Sequence, residues 1–322
     1  MSDMLQPRTV HVDQHLSNVA IAFRPVGFVA DQLCPIVPVP HQSDTYLVWT
    51  QADQYRLENT RRSPSTEARR VTWQVGSASY LAQNYALKAG MQIETRENMD
   101  PIFVREREEG ITRRLTELMM LDYETRVASL WQNSSNVGSF SNVVSSWTSS
   151  GATPVDNIFT AMENVADATG YVPNRIHFGI AAWRTFQRHQ QVRNSVMNPN
   201  VSAGGPLPMQ EAVARFFGVD KITVGRAYRT TGQQGQPLSL TPVWGNHVTA
   251  YYAPANPSIV EPSFSYAFRW VAPGLQQMNV RRLPYDEKIQ AQDFEVGYYQ
   301  DEVITAARLA FTWYHVSCSQ AA

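Results

Sequence analysis

The chain has 322 residues, 43% apolar and 17% charged, a globular composition long enough for more than one lobe, because single cores stop growing near ~250–300 residues. Its formal net charge of −1 lacks the basic excess of a protein that holds nucleic acid by neutralising phosphates. Two cysteines, Cys34 and Cys318, make neither a metal-spaced set nor a disulfide framework, and no run approaches the ~18 apolar residues of a membrane helix.

The opening "MSDMLQPRTVHVDQHLSN" has no basic patch followed by an apolar core, so no signal peptide is expected, and a cytoplasmic site of synthesis is. Residues 1–44 read as an arm. Pro25, Pro35, Pro38 and Pro40 break any helix or central strand, and the segment has no core of its own. Residues 45–90 read as a long hairpin. "TYLVWT" (Thr45–Thr50) is one strand, and "RRVTWQVG" (Arg69–Gly76), with Val71, Trp73 and Val75 alternating, is the other. "SYLAQNYALKAGMQIE" continues as extended or irregular chain. The tip, "ENTRRSPSTEARR", carries Arg61, Arg62, Arg69 and Arg70 with Glu58 and Glu67 around Pro64. It is either a solvated loop or an element that reaches a neighbouring molecule.

A rod follows, within a unit expected over residues 91–150. Asp100 is a candidate cap and Pro101 suits a first helical position. Ile111, Leu115, Leu118, Met119, Tyr123, Val127, Leu130 and Trp131 keep helical spacing. About 32 residues at ~1.5 Å each give a helix about 48 Å long. The heptad seam through Ile111, Leu115 and Leu118 next demands Asp122 and Thr125, which excludes a coiled coil. The helix is expected to lay its C-terminal half on a sheet. Its charged half, where Arg105, Glu109, Arg113 and Glu117 fall four apart, is left for solvent or other chains.

"NSSNVGSFSNVVSSWTSSGAT" marks a linker or hairpin, and an α/β lobe is expected over 151–262. A helix from Pro154 to about residue 168 leads to a strand at "NRIHFG" and a helix at "AAWRTFQRHQQV". A mobile "NPNVSAGGPLP" then precedes a helix at "MQEAVARFFGV". Strands follow at "KITVGRAYRT" and "TPVWGNHVTAYYAP". From residue 263 to 322 four apolar segments suggest a long antiparallel sheet of returning strands.

No catalytic set emerges. "VGSAS" lacks the last glycine of a nucleophile elbow, no glycine-rich phosphate loop with Lys-Ser/Thr is present, and "GGPLP" is proline-blocked. His177 and His189 have no second ligand at metal spacing. Glu108 with Glu109, and Asp286 with Glu287, read as solvated pairs. Of the 27 cationic residues three are lysines, Lys88, Lys221 and Lys288, which leaves 24 arginines. Arginine suits bidentate pairing at interfaces, although genome base composition produces the same bias.

The order of parts carries a resemblance: proline-rich arm, charged-tip hairpin, long helix entered by Asp-Pro, linker, α/β lobe, return sheet. Together with "AVARFFGVDKITVGRAYR" and "VWGNHVTAYYAP", it resembles the major capsid proteins of tailed bacteriophages with the Hong Kong 97-like coat fold. The resemblance implies an α+β fold with an N-terminal arm, an extended hairpin loop over an adjacent subunit, a peripheral lobe with a spine helix and sheet, and an α/β axial lobe. It implies a shell protein and not an enzyme, with no cofactor, catalytic residue or metal, that self-assembles into hexamers and pentamers around double-stranded DNA. The virion would be its location, after assembly in the host cytoplasm. Arg61, Arg62, Arg69, Arg70, Arg105, Glu109, Arg113 and Glu117 become candidate inter-subunit contacts. A separate scaffolding protein, or a leader already cleaved, is implied, since no helical leader is evident before the arm; decoration proteins and a portal are further partners, and a membrane is not. Some members of the family link subunits through a lysine on the extended loop. His41 to Leu87 contain no lysine and Lys88 lies at the base, so no such isopeptide is expected here. A cellular nanocompartment shell of the same fold, and an enzyme on the α/β lobe, are the alternatives.

Overall fold

The computed structural model describes residues 16, 17, 20, 27–49, 55–64, 66–72, 75–196, 209–232, 235–259, 261–271, 278–288, 290–314 and 316. A first sheet is organised by β13 (Ala291–Ile304), whose alternating burial marks one face toward core. β4 (Gln83–Gln92) runs antiparallel along one edge of it, from Gln92 opposite Ala291 to Gln83 opposite Gln300. Gln300 also pairs with Arg269 of β11 (Ser265–Trp270), so β11 lies on the opposite edge, and β12 (Asn279–Arg282) pairs farther along β13. β1 (Ile36–Val39) adds in parallel to β11. β2 (Ser43–Trp49) and β3 (Val75–Leu81) form a separate antiparallel pair between β1 and β4 in the chain. The second hairpin strand thus begins at Val75, not Arg69; Val71 is 40% exposed and has no regular structure. The stretch read as extended or irregular supplies the end of β3 and all of β4, because β13 offers β4 ten partners. The first sheet therefore includes residues expected in the arm and in the extended loop.

α1 (Ala30–Leu33) and α2 (Ile93–Glu97) are short. α3 (Pro101–Trp131) is the 31-residue spine. Asp100 has extended backbone at its start but makes no side-chain cap, a correction to the expected role. The Asp100 carbonyl instead accepts the Val104 amide at 3.1 Å. Burial begins at Glu108, before the C-terminal half, while Pro101 to Arg107 contribute no buried residue. Leu115 and Met119 pack on Val280, Phe294, Val296 and Tyr298 of the first sheet, together with Leu16 and Ala20 of the arm. Tyr123, Val127, Ala128 and Trp131 enter a second cluster with Trp244, Tyr251 and Phe264. Thr112 and Thr116 are buried at no polar cost, since each hydroxyl donates to a carbonyl one turn back, at 3.0 and 2.8 Å.

A second sheet has the order β5 (Ser139–Asn142), β14 (Ala310–Tyr314), β10 (Val248–Tyr251), β6 (Arg175–Gly179), β7 (Lys221–Gly225). The end pairs are parallel and the inner ones antiparallel. β5 and the buried Trp147 belong to this lobe, so the chain joins it before residue 150. The expected return sheet is split, since β14 crosses into the second sheet while β11, β12 and β13 stay in the first. One face carries Ile176, Phe178, Ile222, Val224, Val248, Ala250 and Phe311 against α4 (Pro154–Thr169), α5 (Ile180–Arg188), α6 (Gln190–Val196) and α7 (Met209–Phe217). α5 and α6 are separate because His189 is extended (φ −66°, ψ 137°), and its Nδ1 accepts the Gln191 amide at 3.2 Å. "KITVGRAYRT" likewise divides into β7 and β8 (Tyr228–Thr230), and β8 pairs with β9 (Leu240–Pro242). The segment read as mobile, 198–208, lies outside the described residues.

Candidate inter-subunit surfaces

The hairpin tip is exposed, and its arginines find few partners at home. Arg69 lies 3.6 Å from Glu58, and Arg62 Nε donates to the Thr66 carbonyl at 2.5 Å. Among the described residues no ion pair holds Arg61, Arg62 or Arg70. Leu57 is 98% exposed. The tip therefore has charge and apolar surface to offer, but no core.

Along α3, Glu109 bridges Arg105 at 3.8 Å and Arg113 at 3.5 Å, as the four-residue spacing leads one to expect. Glu117 instead turns to Arg114, at 2.7 Å. Such exposed pairs contribute ~0–1 kcal/mol each. Glu108 is not solvated. It is buried on the helix flank facing β12 and accepts from Arg282 at 2.6 Å.

The two lobes meet at a joint built on Glu124, a residue that no motif or spacing singles out. Glu124, fully buried on α3, accepts from the Val29 amide at 3.0 Å, the Ala30 amide at 2.8 Å and the Trp244 indole at 2.5 Å. One carboxylate thus caps α1, anchors the spine and holds the Trp-Gly turn of the second lobe. Burial pushes its pKa up, and the donors from Trp244, Val29 and Ala30 pull it back. Trp244 sits over the polar face of the second sheet, where Gly225 leaves room for the indole that a Cβ would strike. His177 lies edge-on to Trp244 and Trp131, with ring centroids 4.3 and 6.1 Å away. Its Nδ1 is 3.1 Å from the Thr223 hydroxyl. Burial, then the neighbouring His247, pushes its pKa down to about 3, so it is a neutral core histidine. Next along the spine, Arg126 grips Glu302 with Nη2 at 2.9 Å and Nε at 3.2 Å, and lies 3.7 Å from the centre of the Tyr85 ring. This fastens α3 across β4 and β13.

Among the described residues no group of three His, Cys, Asp or Glu is placed to hold a metal, and no helix is long and apolar enough to cross a membrane. Cys34 is buried and its thiol is pushed up by burial, then by the charge of Glu302, which makes it a poor nucleophile. Cys318 lies outside the described residues. Lys88 pairs with Asp293 at 2.9 Å in the first sheet.

No family model matches the chain. It is 25% identical over 268 residues to the major capsid protein of Burkholderia phage BcepMu, covering 80% of this chain and 83% of that protein. It is 24% identical over 248 residues to the major capsid protein of Pseudomonas phage JBD67, covering 75% and 77%. Among solved structures, a phage-related protein of Bordetella bronchiseptica superposes with a TM-score of 0.73 at 22% identity, over 95% of this chain and 98% of that one. The capsid of cyanophage P-SCSP1u gives 0.56 at 13% identity over 91% and 89%. An encapsulin complex of Synechococcus elongatus gives 0.54 at 13% over 95% and 95%. The chain has the Hong Kong 97-like coat fold, and its sequence relatives are phage major capsid proteins.

Proposed function

We propose that this chain is the major capsid protein of a tailed phage, and that its copies assemble as hexamers and pentamers into an icosahedral head around double-stranded DNA. The observation that carries the reading is the hairpin on β2 and β3, which presents four exposed arginines, three of them without an ion pair among the described residues, and an almost fully exposed Leu57. Arg61, Arg62, Arg69 and Arg70 then meet carboxylates of an adjacent subunit. Arg105, Glu109, Arg113 and Glu117 exchange part of their helix-surface pairing for contacts between copies. Many weak contacts repeated over a closed shell suffice for a stable container. A near-neutral chain suits a wall that encloses DNA without gripping it. A separate scaffolding protein directs assembly, with a portal and decoration proteins as further partners, and the mature location is the virion.

Negative-stain microscopy and light scattering of the expressed chain, alone and with the scaffolding protein from the same genome, test this. Rings, sheets or shells are expected. A monomer at every concentration and salt would overturn it. The likeness to an encapsulin supports a second reading, a cellular nanocompartment. Uniform shells that form without scaffold and enclose a host protein would favour that reading.

A further inference from the structure

The spine helix has two flanks over the first sheet, and the described residues leave an opening on each. On the β12 side lie Leu16 and Ala20 of the arm and the Glu108–Arg282 pair. On the β4 side lies an open groove of about 550 Å³, with Leu87 and Leu118 each about two-fifths exposed over Ile111. Arg107 and Arg114 rim it. Arg107 has no ion pair among the described residues, and Arg114 reaches only Glu117. At the centre of this flank stands Gly110, inside a 31-residue helix where glycine is among the weakest formers. A Cβ there would meet nothing within 4 Å, so packing among the described residues does not call for glycine. A residue that weakens the helix and relieves no internal crowding is explained by a close approach from outside.

The rim selects the occupant. A neighbour's arginine-rich hairpin tip would be repelled by Arg107 and Arg114. The groove requires an apolar side chain accompanied by carboxylates. Among the exposed large hydrophobic residues described, only Tyr285 has two carboxylates within two positions, Asp286 and Glu287, and no cation that near. It stands in the turn between β12 and β13, 43% exposed, and Pro284 precedes it. The turn lies at the Ala291 end of β13, near enough for Asp286 to act on Lys88 of the groove wall, yet among the described residues neither Asp286 nor Glu287 pairs with Arg107 or Arg114 of its own subunit. We infer that the groove at Gly110 receives the Tyr285–Glu287 turn of a second copy. The contact is heterologous and head-to-tail, the kind that closes into a ring. The ring of Tyr285 covers Leu118 and lies against the guanidinium groups, while Asp286 and Glu287 pair with Arg107 and Arg114.

This rests on the reading that copies assemble. The test is shell yield by sedimentation, with melting of the unassembled protein as the folding control. Arg107→Glu with Arg114→Glu, and separately Asp286→Arg with Glu287→Arg, should each cut yield on the order of tenfold or more, as close interfacial charge pairs do. All four together should restore it. Gly110→Ala should raise the melting temperature of the unassembled protein, and Gly110→Leu should lower yield without lowering that temperature. As a second measurement, Leu118→Cys and Tyr285→Cys copies, both with Cys34→Ser and Cys318→Ser, should form a disulfide-linked dimer only when mixed. Failure of the wild type to assemble would overturn the functional reading itself. Wild-type assembly with undiminished variants, no rescue by the fourfold change, or no mixed dimer would overturn this contact alone.

Discussion

Replacing Glu124 tests whether one carboxylate joins the arm, the spine and the second lobe. Its oxygens accept from three buried donors, the Val29 and Ala30 amides and the Trp244 indole. Glu124→Ala leaves all three without an acceptor at a site closed to solvent. Each unsatisfied donor costs about 1–3 kcal/mol. Desolvating the carboxylate, which raises its pKa, opposes that total. The net expectation is a loss of about 3–6 kcal/mol. Glu124→Gln keeps the volume and one oxygen but turns an amide donor toward donors, so about 1–3 kcal/mol is expected. Urea denaturation of the unassembled protein, followed by tryptophan fluorescence, reads both variants, because Trp244 and Trp131 report on the joint directly. If Glu124→Ala unfolds within about 1 kcal/mol of wild type, the carboxylate is not what holds the lobes together.

Changing Arg61, Arg62, Arg69 and Arg70 together to Ser should leave the melting temperature of the unassembled protein unchanged while lowering shell yield or stability. The wild-type contact should weaken with salt, and normal assembly of the variant would leave the tip a solvated loop. His177 contributes a pH dependence. Its pKa is about 3 when folded, against an ordinary value of 6.5, so the unfolded chain takes up its proton first. The stability it provides is complete above pH 6.5 and falls as pH drops toward 3. The full shift is worth about 5 kcal/mol. In His177→Gln the fall in stability between pH 6.5 and 4 should be shallower than in wild type, and an identical slope would contradict the neutral buried imidazole. Mature particles boiled with detergent and reductant should run as monomers on a denaturing gel. Lys88 is held protonated by its hydrogen bond to Asp293 and by that carboxylate's charge, and a protonated amine is no nucleophile. A multimer ladder surviving reduction would refute this.

The residues alone determined the elements that rest on local rules. A proline at the first turn and apolar spacing at 3.6 residues specified the spine almost to the residue. Alternating apolar stretches specified most strands, and a polar, arginine-rich insert specified a tip with no place in a core. What required distant partners was decided only by the tertiary structure. β4 reads as extended or irregular chain until β13 lies beside it, because hydrogen bonds from another strand, not its own composition, make it a strand. β14 looks like one more strand of a return sheet, and only its pairing with β5 and β10 sends it to the other lobe. Glu108 and Glu124 sit on one helix, the first in the charged run "REREE" and the second between Tyr123 and Thr125, and neither stretch marks a buried carboxylate. Arg282 in one case, and Val29, Ala30 and Trp244 in the other, bring them into the interior, since a buried carboxylate persists only where donors converge on it. Those donors come from residues 94 to 174 positions away, a separation over which spacing along the chain carries no signal.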